Sequence, residues 1–350
     1  MYNSGCSVWG GGVVNGHIFD EIISLENLFS AWSEFSRGKR KKLDVQLFEF
    51  ALEDNLILLH QQLKNKNYQV SPYKSFYISD PKLRHIHKAS VKDRLVFQAV
   101  YRVIAPILER QFIYDSYSSR LGKGTHSAVN RLERFLIKTS RNCSRPAYVL
   151  KLDIRKFFDS IDHRILATLL CDNVMVRGQD TQWLLKEIIE SYWISNQVGN
   201  DKTNGAWMHP ITVGLPLGNV TSQLFANIYL HQLDFFIKHK LKIKHYIRYC
   251  DDFVIIENRR DSFSEYIKVI EQFLNENLKL VLHQRKTIIR KYSQGVDFLG
   301  YVLRPHHRTL RTKTKRRLLR KINSKNYFSY CGVLSHCSSY KLKQNLSANG

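Results

Sequence analysis

The segment Tyr246-Ile-Arg-Tyr-Cys-Asp-Asp-Phe-Val-Ile-Ile256 sets two aspartates between two short, largely apolar runs. Such runs read as strands, and a two-residue break between them reads as a tight hairpin. Adjacent carboxylates at a hairpin tip repel each other, and a carboxylate at the end of a buried strand is costly unless it is paired. A second segment, Ala147-Tyr-Val-Leu-Lys-Leu152, also ends on an acid, Asp153. Asp-Asp alone says little, because Asp is common in turns; the Asp153 segment is what gives it weight. On neighbouring strands, Asp153 and Asp251 could jointly hold two divalent ions about 3.5–4 Å apart, the spacing of two-metal phosphoryl transfer. Hard oxygen ligands suit Mg2+, with Mn2+ as a substitute. Asp159 and Asp162 fit caps better than ligands.

The periodicity around these acids predicts an α+β fold. After Ser160-Ile-Asp162 a helix is expected over 163–171, with either polar residue as its cap. Trp183, Leu184, Leu185, Ile188, Ile189 and Tyr192 mark another helix. Gly214-Leu-Pro-Leu-Gly218 breaks the chain, and Thr221 or Ser222 is placed to cap a helix reaching about Ile237. A helix on Phe263, Tyr266, Ile267, Ile270, Phe273 and Leu274 precedes alternating Leu278, Leu280 and Leu282, which read as a strand. Strand, helix, hairpin, helix, strand is the split βαβ order of a ferredoxin-like antiparallel sheet. Upstream, Phe19 to Leu63 is helical apart from the basic run Arg37–Lys42, Tyr73 to Ile86 alternates as strands, and Val91 to Phe112 is helical again.

Charge narrows the class of partner. The chain has 54 Lys and Arg against 30 Asp and Glu, a net charge of +24. Asp297 is the last acid, and 12 Lys and Arg follow it with none opposed. A basic face of this size points to a polyanion. No stretch has the roughly 18 uncharged apolar residues of a membrane helix, and residues 1–16, rich in Gly, Ser and Asn, read as flexible rather than as a signal peptide. Six scattered cysteines without a CxxC pair argue against a disulfide scaffold or Cys-rich zinc site and for a reduced, cytoplasmic protein. His336-Cys337 reads as part of a packed helix.

These residues together resemble a reverse transcriptase. Leu152-Asp-Ile-Arg-Lys-Phe-Phe158 is similar to the first palm motif of that family, Gly214-Leu-Pro-Leu-Gly-Asn-Val-Thr-Ser-Gln223 to the second and Tyr249-Cys-Asp-Asp252 to the third. Val296-Asp-Phe-Leu-Gly-Tyr301 resembles the hairpin that grips the primer. Lys82-Leu-Arg-His-Ile86, Val91-Lys-Asp-Arg-Leu95 and Arg120-Leu-Gly-Lys-Gly-Thr-His126 resemble fingers motifs of bacterial members. The resemblance runs from about Tyr77 to Leu346 in the family's order.

It implies a right-handed polymerase with fingers, a ferredoxin-like antiparallel palm sheet and a short helical thumb. The expected divisions are a flexible 1–16, an N-terminal extension and fingers over 17–140, a palm over 141–303 and a basic thumb over 304–350. Asp153, Asp251 and Asp252 would be catalytic and metal-binding, with the Ile154 carbonyl completing one shell. Lys286 would protonate the leaving pyrophosphate, although a surface lysine would look the same. Lys82 and Arg84 would meet the triphosphate, since guanidinium forks match phosphate oxygens. Lys156, Phe157, Phe158, Leu217, Gly218 and Gln223 complete the nucleotide site. Phe158 stands where the family keeps a ring against the ribose 2′-OH, and core packing would use the same ring. Arg120, Lys123, Gly300, Lys315, Arg316 and Arg317 are the primer and template candidates.

Many reverse transcriptases read Pro-Gln-Gly where this chain has Pro216-Leu-Gly218. The aliphatic residue, with Asn-x-Thr-Ser-Gln after it, is similar to the diversity-generating retroelement enzymes, which implies misincorporation opposite template adenines. Replacing a polar group near the nascent pair removes hydrogen-bonded discrimination, the stronger kind. The implied partners are a template RNA, an RNA–DNA duplex, dNTPs and a small basic accessory protein, with no membrane. Ribonuclease H, endonuclease and DNA-binding tasks would fall to partners. A defence-associated or group II intron-like reverse transcriptase shares parts of these motifs, and a catalytically silent RNA-binding protein of the same fold would share the basic tail. The helix expected over Arg311–Ile322, with the stripe Leu318, Leu319 and Ile322, suits a duplex backbone tracked without reading sequence.

Overall fold

The structure is a computed structural model that describes residues 17–79, 83–172, 178–198, 213–324, 326–340, 342 and 344. Lys82 and the 1–16 segment lie outside the described residues. The chain forms two compact units: the described residues of Met1–Gln111 with Asp162–Ile228, and those of Phe112–Ile161 with Tyr229–Gly350.

In the first unit, Leu28, Ala31, Trp32 and Phe35 form the buried stripe of helix Leu25–Ser36. This helix packs on Val91–Glu109, whose Leu95, Val96, Ala99, Val100, Val103 and Ile104 are buried. Ser90 caps that second helix by accepting from the Asp93 N–H. Asp93 is itself fully buried, and it accepts from the hydroxyls of Tyr68 at 2.9 Å and Ser90 at 2.6 Å. Strands β1 (Lys74–Ser79) and β2 (Leu83–Lys88) form an antiparallel ribbon with Ile78 opposite Arg84. Helix His163–Cys171 begins as the sequence predicts, and Asp162 rather than Ser160 is its cap, accepting from the Arg164 and Ile165 N–H groups.

The second unit carries a four-stranded sheet of β3 (Tyr148–Asp153), β4 (Tyr246–Tyr249), β5 (Asp252–Glu257) and β6 (Ile288–Lys291). Every pairing is antiparallel and the order is β4-β5-β3-β6, the ferredoxin-like arrangement. Helix Thr125–Thr139 covers one face, where Ala128, Val129, Leu132, Phe135 and Leu136 pack with Val149, Ile247, Val254 and Ile256. Strand alternation therefore turns Leu150, Leu152, Tyr246, Arg248, Phe253 and Ile255 to the opposite face.

Two expectations need correction. The last strand is Ile288–Lys291, not 278–282. Leu278 ends the helix Ser262–Leu278, and Lys279 follows in the left-handed region at φ 51°. A helix end followed by extended chain buries every second residue here just as a strand would. Leu282 pairs only once, opposite Ile154. From Ile154 back to Tyr148 is six residues along β3, facing nine from Leu282 to Lys291, and the 3₁₀ turn Gln284–Lys286 takes up the difference. The second correction concerns Thr221 and Ser222, which lie buried inside helix Val220–Phe235 rather than capping it.

A three-stranded sheet follows, of β7 (Val296–Phe298), β8 (Tyr301–Arg304) and β9 (His307–Leu310). The β7–β8 turn puts Leu299 at φ 47° and Gly300 at φ 92°, the paired positive angles of a tight hairpin turn. Helices Thr312–Lys321 and Tyr327–Ser335 come next, joined through buried Leu318 and Leu334. Leu319, expected in the apolar stripe, is 46% exposed. His336 lies past the second helix rather than within it. Among the described residues no helix is long and apolar enough to cross a membrane.

Candidate active site

The register of the sheet assembles the acids. Asp153, the last residue of β3, sits opposite Asp252, the first residue of β5, and Cys250-Asp251 is the two-residue turn between β4 and β5. Asp153 is 5% exposed, while Asp251 and Asp252 are half-buried. Burial pushes the Asp251 carboxyl above its ordinary range, and the charges of Asp153 and Asp252 push it further. Burial also raises Asp252, against the pull of Lys151, whose Nζ lies 3.5 Å from Asp252 Oδ1. Lys286, carried by the 3₁₀ turn, donates from Nζ to Asp153 Oδ1 at 2.6 Å. The three-residue excursion in the sheet edge is therefore what aims this lysine.

No three His, Cys, Asp or Glu side chains among the described residues converge as a metal cage. Asp153 is engaged by Lys286 and Asp252 by Lys151. The donor chemistry nevertheless fits a hard divalent cation, because the Asp153 charge raises both Asp251 and Asp252 and the carboxylate and carbonyl ligand atoms are oxygen. Ile154 adds to this. The Arg155 N–H reaches Val281 O and the His283 N–H reaches Asp153 O, so the Ile154 carbonyl points away from Leu282, toward the flank where β5 pairs.

The turn itself is strained. Cys250 holds φ 55°, a region where glycine costs least. Its thiol is pushed up to about 12, first by burial and then by Asp251, so it stays protonated and inert. Lys156 is likewise left-handed, at φ 46°, and exposed. Of the two rings that follow, Phe157 is buried in the core, whereas Phe158 is half-buried and meets it edge-on at 5.4 Å.

The remaining candidates are distributed. Arg84 is exposed on β2. Leu217 is half-buried, Gly218 has φ 114°, and Gln223 lies near the start of helix Val220–Phe235. A Cβ at Gly218 would stand 3.8 Å from Ile86 Cγ2, so the turn lies close to the β1–β2 ribbon. The segment is anchored by groups that sequence reasoning passed over: His163 Nε2 bonds Gly214 O at 2.6 Å, and Asn219 Nδ2 donates to the Tyr73 hydroxyl at 3.1 Å. All of these belong to the first unit, while the acids belong to the second. Arg120 Nη1 donates to the Ile113 and Ser116 carbonyls, and Lys123 donates to Tyr114 O with its Nζ 3.4 Å above that ring. Both therefore brace their own loop. Gly300 O accepts from the Arg311 N–H at 2.9 Å, joining the β7–β8 turn to the helix that exposes Lys315, Arg316 and Arg317.

Lys151, Asp234 and Arg248 were not foreseen. Their signal in the sequence is a charge within a run of buried residues, which is rare unless the charge is paired.

A ferredoxin-like sheet with acids gathered at the ends of its central strands is the palm arrangement of a polymerase. Residues 64–303 match the family described as reverse transcriptase (RNA-dependent DNA polymerase). The chain belongs to this family and has its α+β polymerase fold. It is 24% identical to the group II intron-encoded protein LtrA of Lactococcus lactis subsp. cremoris, over 81% of this chain and 54% of that one. It is 26% identical to protein YkfC of Escherichia coli K12, over 77% and 74% respectively. The chain thus spans about half the length of LtrA. A solved apo telomerase from Candida tropicalis is similar with a TM-score of 0.49 at 13% identity, covering 73% of this chain and 51% of that one.

Proposed function

We propose that the chain copies an RNA template into DNA by two-metal nucleotidyl transfer, as the error-prone enzyme of a diversity-generating retroelement. The observation that carries the chemistry is the register setting Asp153 opposite Asp252, beside the Asp251 turn. Asp153 and Asp251 would hold Mg2+, with Asp252 and the Ile154 carbonyl in support; when bound, the metal would lower the pKa of the primer 3′-OH and offset charge on the phosphate. Asp153, Asp251 and Asp252 would fix the reacting edge of the sheet. Lys286, already at that edge, would give its proton to the departing pyrophosphate. Lys82 and Arg84 would hold the triphosphate, with Lys156, Phe157, Gly218 and Gln223 around the nucleotide. Catalysis would rest mainly on positioning and charge stabilisation.

The half-buried Phe158 ring supports DNA as the product, since a ring at the ribose would collide with a 2′-OH. Phe158→Ala should raise ribonucleotide incorporation, and an unchanged dNTP/rNTP preference would remove the gate. Leu217 carries the retroelement reading. Sequenced cDNA from a defined RNA should show errors concentrated at template adenines. The intron-encoded relatives favour a second reading, a group II intron-like enzyme, for which errors would be uniform. Template RNA, the RNA–DNA duplex and a small basic accessory protein are the proposed partners.

A further inference from the structure

Arg248 heads the fully buried side chains by volume among the described residues, at 0% exposure, three residues before Asp251. Its Nε and Nη2 donate to the two oxygens of Asp234 at 2.8 and 2.7 Å, and Asp234 is also 0% exposed. The Tyr246 hydroxyl donates to the same carboxylate at 2.7 Å. The third arm, Nη1, donates to the Cys250 carbonyl at 3.3 Å. The Arg248 main chain is held as well, its N–H donating to Asp115 O and its carbonyl accepting from the Tyr117 N–H.

Stability does not account for this arrangement. A buried ion pair repays the desolvation of both charges only in part, and apolar residues of similar volume often serve as well or better. What an apolar pair lacks is the bond to Cys250. That residue is in the left-handed region, where a side chain persists only if its surroundings over-determine the backbone. The Arg248 fork reaches a carboxylate and the strained carbonyl at once, a geometry lysine cannot reproduce.

We propose that the Asp234–Arg248 pair is a positioning device: it fixes the Cys250 peptide and so holds the Asp251 carboxylate in register with Asp153. The catalytic part of this inference rests on the function proposed above. Arg248 and Asp234 touch no reacting atom; they act through Asp251.

The test compares the full chain with the uncharged pair Arg248→Met/Asp234→Leu and with Arg248→Lys. Four quantities are measured: melting temperature, template–primer Kd, Mg2+-dependent primer extension, and Mn2+ binding by electron paramagnetic resonance without substrate. The uncharged pair should fold and melt below the unmodified protein, because the buried Tyr246 hydroxyl loses its acceptor, and should bind template–primer equally well. Its kcat should fall about 10²-fold, as expected for a slightly misplaced catalytic group, while Mn2+ affinity falls about tenfold, as for loss of a group that orients a ligand. Arg248→Lys should move in the same direction by less. A folded double variant with unchanged kcat and Mn2+ affinity would overturn the proposal. If the double variant does not fold, Arg248→Lys decides: unchanged Mn2+ binding and kcat overturn the proposal. If the unmodified protein binds Mn2+ but extends no primer, the proposed function fails, and the Mn2+ comparison still decides whether Arg248 positions Asp251.

Discussion

The β3–β4–β5 sheet and the helix Thr312–Lys321 treat charge in opposite ways. In and beside the sheet, three ion pairs gather charge: Arg248 with Asp234, Lys286 with Asp153, Lys151 with Asp252. The helix exposes Lys313, Lys315, Arg316, Arg317, Arg320 and Lys321 on three turns, without one acid among its ten residues. A desolvated pair such as Arg248–Asp234 is screened little by salt, whereas exposed cations are strongly screened. The difference divides the labour. On the proposed function, the sheet would set the geometry of the reaction and the helix would hold a polyanion whatever its sequence.

The comparison can be broken at either end. Lys286→Met should reduce kcat about 10²-fold, in the range of general acid catalysis, and leave the template–primer Kd unchanged at every salt concentration. A loss of affinity instead would place Lys286 with the helix cations. Lys315→Ala/Arg316→Ala should weaken duplex binding and flatten the slope of log K against log salt by about 2, close to one per phosphate contact. Chemistry at saturating duplex should not change, and an altered kcat there would blur the division. The smallest effect concerns the His126 and His336 rings, stacked at 3.8 Å, with Arg308 and Tyr301 close by. Burial lowers the His126 pKa, and the His336 and Arg308 charges lower it further. The unfolded chain then binds more protons near pH 6, so this contribution to stability is present above about 6.5 and lost as pH falls through it. Melting temperature should decline on acidification, and His126→Asn should make the decline shallower; an unchanged profile would remove His126 from the account.

Much of the site was readable from residues alone because its elements are local. The acids between two apolar runs marked the hairpin, although its turn is Cys250-Asp251 and Asp252 already opens β5. The edge strand was not readable, because Leu278, Leu280 and Leu282 alternate equally well in a helix end followed by extended chain. Nor does periodicity tell Phe157 from Phe158; the left-handed Lys156 redirects the chain and buries the first ring. Arg248 was hidden for a different reason. Its partner Asp234 lies 14 residues upstream on another element, so the pair exists only after the sheet and helix have packed.

The central claim is that the acids of this sheet carry out RNA-templated DNA synthesis. Primer extension on an RNA template with Mg2+ and dNTPs, comparing the unmodified protein with Asp251→Asn and with RNA binding measured in parallel, tests it most directly. The account predicts extension by the unmodified protein and its loss, by about a thousandfold or about 4 kcal/mol of barrier, in the variant, with RNA affinity nearly intact. Undiminished synthesis by Asp251→Asn would contradict it.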